Sequence, residues 1–354
     1  MFTATQILGL LSGYEVNKNL IQSCGNMVVI PIIGETEFTP VADVSDVRIS
    51  RDPAYDKLEF TNSSGEIGIA MQGYTIITEQ KAQDRVIPYA HLVEGGKSKV
   101  CPANCIQSTQ GGHFNTRSLE HDDFMILPPS LRSIAINLAS FNRSETGALW
   151  EPLGKWVNGV DCNGRGLRAF YQKFEDRLGE FVAQFEPIKH QLGSVVVIDG
   201  RVVAIDLMPK YSTWKSTWRA LIRDSYGAEA VRTIENGGAV SVAPLFDVPV
   251  EGDLTMDALE AAFNDSVDSF HNDIQSGIMS VLQTDISPKV LDQKGELSLV
   301  ELTGPHMVGQ GVIHGDSHYV YLSLVAKDFN KKAPRKKFKS LRTDPYGDSG
   351  FKFS

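Results

Sequence analysis

The clearest alternation of apolar and polar positions runs from residue 193 to residue 231. Val195, Val196, Val197 and Ile198 form a β-branched run, Asp199-Gly200 interrupts it, and residues 201–207 repeat the apolar pattern. Asp-Gly between two such runs favours the type I′ turn of an antiparallel pair, so this stretch predicts a core hairpin. Directly after it, Trp214, Trp218 and Leu221 are spaced by four and three residues, which sets two indoles and a leucine on one face of a short helix. Ser212 and Thr213 are expected to supply the capping oxygens at its start.

The same reading extends along the chain. Residues 3–22 fit a short helical stretch only loosely. Residues 26–33, NMVVIPII, are strand-like, and Pro31 inside them implies a sheet edge or a bulge. From 40 to 114, short β-rich pieces alternate with turn clusters, which predicts an antiparallel sheet or half of a sandwich. Leu167, Phe170, Phe174, Leu178, Phe181 and Phe185 recur at three and four residues, predicting one helix with a core-facing stripe that ends by Pro187. Leu259, Phe263, Val267, Phe270, Ile274 and Ile278 predict another amphipathic helix. Residues 311–324, GVIHGDSHYVYLSL, echo the central hairpin, so the two hairpins would extend one sheet, either as a duplicated unit or because hairpins with glycine turns resemble one another.

These elements define an α+β protein: a β-rich antiparallel N-terminal half, amphipathic helices packed against it, and C-terminal hairpins. One domain is expected over residues 1–326, β-rich from 24 to 114 and helical with hairpins from 150 to 326. The 354 residues, 42% hydrophobic and 22% charged, fit an ordinary globular chain. The net charge of -9 conceals a segregation, because residues 327–342 carry eight basic side chains against one acid. The body is acidic, which argues against a dedicated nucleic-acid binder. Residues 327–354 read as a basic, disordered tail, resting on that acidic body or making a weak polyanion contact through 327–342. No apolar run reaches the roughly 18 residues of a membrane span, and the start lacks a basic leader, so a cytoplasmic protein is expected.

Cys24, Cys101, Cys105 and Cys162 are too few and too scattered for a disulfide framework, and the four-residue step of CPANC is not that of a structural zinc site. No metal is expected. The common nucleotide-binding, metalloprotease and hydrolase signatures are absent. Two polar clusters remain. Residues 78–85, TEQKAQDR, offer Gln83, Asp84 and Arg85, where an amide with donor and acceptor beside a guanidinium suits ribose or phosphate; a solvated loop is the plainer alternative. Residues 105–113, CIQSTQGGH, bring Cys105, Gln107, Gln110, Gly111, Gly112 and His113 within nine positions. The glycines allow backbone amides to converge on an anion, and a thiol with an imidazole would make a nucleophilic pair if the fold brought them together.

The succession MQGYTIITEQKAQDRVI, VCPANCIQSTQGGHF, FNTRSLE, TGALWEPL, GSVVVIDGRVVAIDLM and MVGQGVIHGDSHYVYLSL resembles the ARG and rhodanese-phosphatase-superfamily-associated protein domain family over roughly residues 24–326. In that family a Gly followed by acids leads to a Lys-Gln-Asn-Arg run, and a cysteine segment comes later. The resemblance assigns the first run to Gln83, Asp84 and Arg85 and the second to Cys105, Gln107, Gln110 and Gly111. Here Tyr74 and Thr75 stand where the family has acids, Asp84 replaces an Asn, and Gln107 replaces a Glu.

What the resemblance implies is the handling of ADP-ribose or another NAD-derived nucleotide, hydrolytic in the first instance. Asp84 would act as acid or base, with Cys105 and His113 as the alternative catalytic pair. Arg85 would meet phosphate, and Gln83, Gln107, Gln110, Gly111 and Gly112 would hold the rest of the ligand. A non-catalytic nucleotide-sequestering protein, or an interaction protein working through its tail, are the competing readings. No cofactor is assigned.

Overall fold

The computed structural model describes residues 3–17, 20–34, 38, 40–76, 84–106, 124–160, 162, 166–238, 272, 276–315 and 318–327. Its frame is an antiparallel sheet of ten strands, mixed with helices and smaller sheets as an α+β fold. From one edge the order is Thr5–Gln6, Asp285–Lys294, Leu297–Thr303, Met307–His314, His318–Ala326, Arg201–Leu207, Gln191–Ile198, Met27–Ile33 and Glu15–Val16, and Gln22–Cys24 also pairs with Met27–Ile33. The central hairpin turns as its sequence demands, with φ of 51° at Asp199 and 73° at Gly200, the two positive values of a type I′ turn. The central and C-terminal hairpins are neighbours, because Arg201–Leu207 pairs with His318–Ala326.

Both faces of this sheet are covered, so its inner strands are buried nearly throughout. The register sorts the side chains by row. Ile30, Val195, Ile205 and Leu324 are successive partners across four strands and join one core, with Ile7, Leu10, Ile278 and Leu282 packed over them. One residue along, Val29, Val196, Ala204, Val325 and Val308 align and join the other core, beneath the tryptophan helix and the small sheets. This is the two-residue period of a strand read from both sides. Pro31 is tolerated for the reason anticipated. It lies near the sheet edge, in the gap between the short strands that pair with Ile32–Ile33 and with Met27–Val29.

The tryptophan helix, Tyr211–Arg219, continues through a π-helical stretch, Ala220–Gly227, into Ala228–Glu235. Trp214, Trp218 and Leu221 are buried on its inner face as expected. Its start differs from expectation. Lys210 occupies the cap position, so Ser212 and Thr213 lie inside the first turn and cap nothing; their hydroxyls donate to the Asp43 carboxylate, Thr213 at 3.1 Å.

The phenylalanine stripe is likewise buried at all six positions, but on two helices rather than one. Leu167–Lys173 and Glu175–Gln184 meet at Phe174, whose φ of -110° and ψ of 21° break the helical path while keeping the ring inward. The helix expected from Leu259 falls almost wholly outside the described residues; Ile278, at its end, is buried. Between 40 and 126, the short strands form three small antiparallel sheets of two, three and four strands. No helix among the described residues is long and apolar enough to cross a membrane. The tail from 328 onward lies outside them.

Candidate functional site

The four-stranded small sheet runs in the order Asn104–Cys105, Arg85–Val86, Tyr74–Ile76 and Phe124–Ile126. Cys105, Arg85, Ile76 and Phe124 are successive partners across it and form one row. Ile76, Asp84, Ile106 and Phe124, the described residues that border 77–83 and 107–123 in sequence, all lie in or next to this sheet. Gln83, Gln107, Gln110, Gly111, Gly112 and His113 lie outside the described residues. Asp84, Arg85 and Cys105 are within them and adjoin. The Ile106 amide donates to the Asp84 carbonyl at 3.0 Å, which ties the two clusters together.

All three are buried: Asp84 is 4% exposed, and Arg85 and Cys105 are fully enclosed. Nη1 of Arg85 donates to the carbonyls of Ala54 at 3.0 Å and Lys57 at 3.3 Å, and its guanidinium lies 5.7 Å from the centre of the Tyr55 ring. The side chain expected on phosphate thus grips the tip of a neighbouring hairpin, as a planar group with several fixed donors can. That tip is held from a second side, since the Asp56 carbonyl accepts from the Ala103 amide at 2.8 Å and the Ser144 hydroxyl at 3.2 Å. Cys101 is also enclosed, and burial pushes its thiol up to about 12, which keeps it protonated and unreactive.

The positions where the resemblance expects acids are core positions. Tyr74 lies against Phe124, stacked at 4.8 Å, and edge-on to Phe60 at 5.5 Å, while Thr75 donates to the Gly73 carbonyl at 2.8 Å. Burial raises the Tyr74 hydroxyl far above its usual range. An aromatic ring suits this place and a carboxylate would not, because a charge among rings loses its hydration without gaining a partner. Gly73 itself has φ of 74°, and a Cβ there would stand 2.8 Å from Cδ of Arg132.

Sequence reasoning missed a second polar assembly. A single register row of the large sheet reads Ser194, Asp206, Ser323, Gln310, Glu301 and Lys289, six polar residues across six strands. Over its centre, Arg132 donates to both carboxylate oxygens of Asp206, at 2.8 and 3.1 Å, and to the hydroxyls of Ser323 at 2.8 Å and Ser225 at 3.3 Å. Tyr226 adds a donor to Asp206. The π-helical stretch supplies both Ser225 and Tyr226, and the wider π turn is a recurrent means of turning consecutive side chains toward a site. Nearby, Glu229 is fully buried and accepts from the Ser130 amide at 3.0 Å and hydroxyl at 2.6 Å; burial raises its carboxyl above the ordinary value. The clearest sequence signal was an acid, Asp206, inside the apolar run of residues 202–207. Neither assembly groups three or more metal-ligating side chains, and none is found among the described residues.

The sequence pattern of the ARG and Rhodanese-Phosphatase-superfamily-associated Protein domain matches residues 15–325. No curated protein and no solved structure matches the chain.

Proposed function

The chain belongs to the ARG and Rhodanese-Phosphatase-superfamily-associated Protein domain family, and from that membership we propose that it binds ADP-ribose or another NAD-derived nucleotide and hydrolyses it. One observation supports the reading: Cys105, Arg85, Ile76 and Phe124, which come from the described edges of both polar clusters, form a single row. In this reading the amides around Gly111 and Gly112 receive the pyrophosphate and Gln83, Gln107 and Gln110 hold ribose or base. Arg85 supplies a fixed positive charge, and Asp84 moves the proton, with Cys105 and His113 the alternative reacting pair. The pyrophosphate gains from converging amides even where no cation touches it.

A sequestering protein is the second reading. What favours it is the packing of Tyr74 and Thr75, which leaves no acid at the two positions after Gly73. Calorimetric titration of the full chain with ADP-ribose and NAD, followed by chromatography of the ligand after incubation, separates the possibilities. Binding with conversion, abolished by Asp84→Asn, supports hydrolysis. Binding with the ligand returned intact supports sequestration, and absence of binding to either nucleotide overturns both.

A further inference from the structure

We infer that the polar row of the large sheet carries a buried water-binding site, formed by the side chains of Gln72, Gln310 and Arg132. All three residues are at most 1% exposed. Among the described residues, Oε1 and Nε2 of Gln72, Nε2 of Gln310 and Nε of Arg132 have no hydrogen-bond partner. Four such atoms are more than a folded interior leaves unpaired in one place, since buried polar groups find partners in the protein or in bound water. The Gln310 amide has a defined orientation, because its Oε1 accepts from the Ala90 backbone amide and its Nε2 must point elsewhere.

Two routes of contact bring these atoms to one locality. The Gln72 backbone amide donates to the Tyr321 hydroxyl at 3.1 Å, and Tyr321 shares a strand face with Ser323, which accepts from Arg132 and is the register partner of Gln310. By the other route, the Arg132 stem lies against Gly73, directly after Gln72, while Gln310 holds Ala90, beside the pair that His91 makes with Ala70 just before Gln72.

The donor set selects the ligand. Gln72 and Gln310 each offer an amide N–H and Arg132 a guanidinium N–H, whereas Oε1 of Gln72 needs a donor. Water both donates and accepts. A small anion only accepts, and it would find no net positive charge here, because Asp206 already pairs with Arg132. An internal water needs about two to four polar partners, which this set supplies. Gln72 lies in the connection before Tyr74–Ile76, Gln310 on Met307–His314 and Arg132 on the helix Pro129–Leu138, so the water fastens a small sheet, the large sheet and a helix.

A crystal structure of the full-length protein, from crystals soaked in sodium bromide, tests the site, and nuclear magnetic relaxation dispersion of the water oxygen counts long-lived internal waters in solution. The expected result is a density peak within hydrogen-bond distance of at least three of the four atoms, without anomalous bromide signal. Gln72→Met gives up no protein hydrogen bond of that side chain but removes the acceptor of the site, so it should lose at least one long-lived water. A bromide peak would overturn the inference in favour of an anion site. Absence of density, with the amides turned to pair directly with protein groups, would overturn it as well. An unchanged water count in Gln72→Met would do the same, placing the water elsewhere. Should that variant fail to fold, the wild-type density decides alone.

Discussion

Arg132 and Asp206, 74 positions apart in sequence, meet in a two-point ion pair in which each side chain is 1% exposed. Such a pair is held by geometry, because the desolvation of two charges is offset only when good geometry and further hydrogen bonds accompany it. Here Ser323, Ser225 and Tyr226 supply those bonds, while Nε of Arg132 has no partner among the described residues. Removing one partner leaves a buried charge alone. Arg132→Met or Asp206→Leu should each lower unfolding free energy by about 3–5 kcal/mol in denaturant titrations. The double variant should lose much less than the sum of the two, since it leaves no orphaned charge. Strict additivity would show that the two side chains act independently.

Trp214 and Trp218 lie with ring centres 5.5 Å apart, fully buried and 6% exposed respectively. Replacing either with alanine should cost about 3–5 kcal/mol, the range for truncating a core indole. Chemical denaturation monitored by circular dichroism checks this, and a loss below about 1 kcal/mol would mean that the helix contributes little to the core.

Acid should destabilise the protein through His91. The ring is 2% exposed and stacks on Phe141 at 4.7 Å, and among the described residues neither nitrogen has a hydrogen-bond partner. Burial first, and then the Lys99 ammonium, lower its pKa to about 3, with Asp292 opposing. An imidazole of ordinary pKa near 6.5 takes up a proton in the unfolded chain before it does so in the fold. Its contribution to stability is therefore complete above about pH 6.5 and is lost as pH falls from there toward 3. His91→Phe, which keeps a ring against Phe141, should flatten the stability profile between pH 7 and 4. A profile as steep as that of wild type would assign the acid sensitivity to other groups.

The folded unit should end near Lys327. Its amide donates to the His306 carbonyl at 2.9 Å, directly after the last strand, and the family match stops at 325. Deleting residues 328–354 should change unfolding free energy by less than about 0.5 kcal/mol, as for surface changes that touch no core group. A larger loss in a melting or denaturant experiment would place part of the tail within the domain.

Sequence alone determined what is set by neighbours a few residues apart. The Asp199-Gly200 turn follows from its two residues, the inward faces of Trp214, Trp218 and Leu221 from their spacing, and the burial of six positions from Leu167 to Phe185 from theirs. The clusters around Arg85 and Cys105 were legible as polar residues without an apolar face, and their order along the chain carried the family. Period says which way a side chain points and not what it meets. Only the tertiary structure decided that Phe174 breaks its helix and that Ser212 and Thr213 answer to Asp43 instead of a helix end. It gave Arg85 the carbonyls of Ala54 and Lys57, brought Tyr55 to its side, and set Arg132 on Asp206. Each of these contacts joins segments distant in the chain, so it depends on strand order and register across the sheets, which are fixed by the packing of all the elements together.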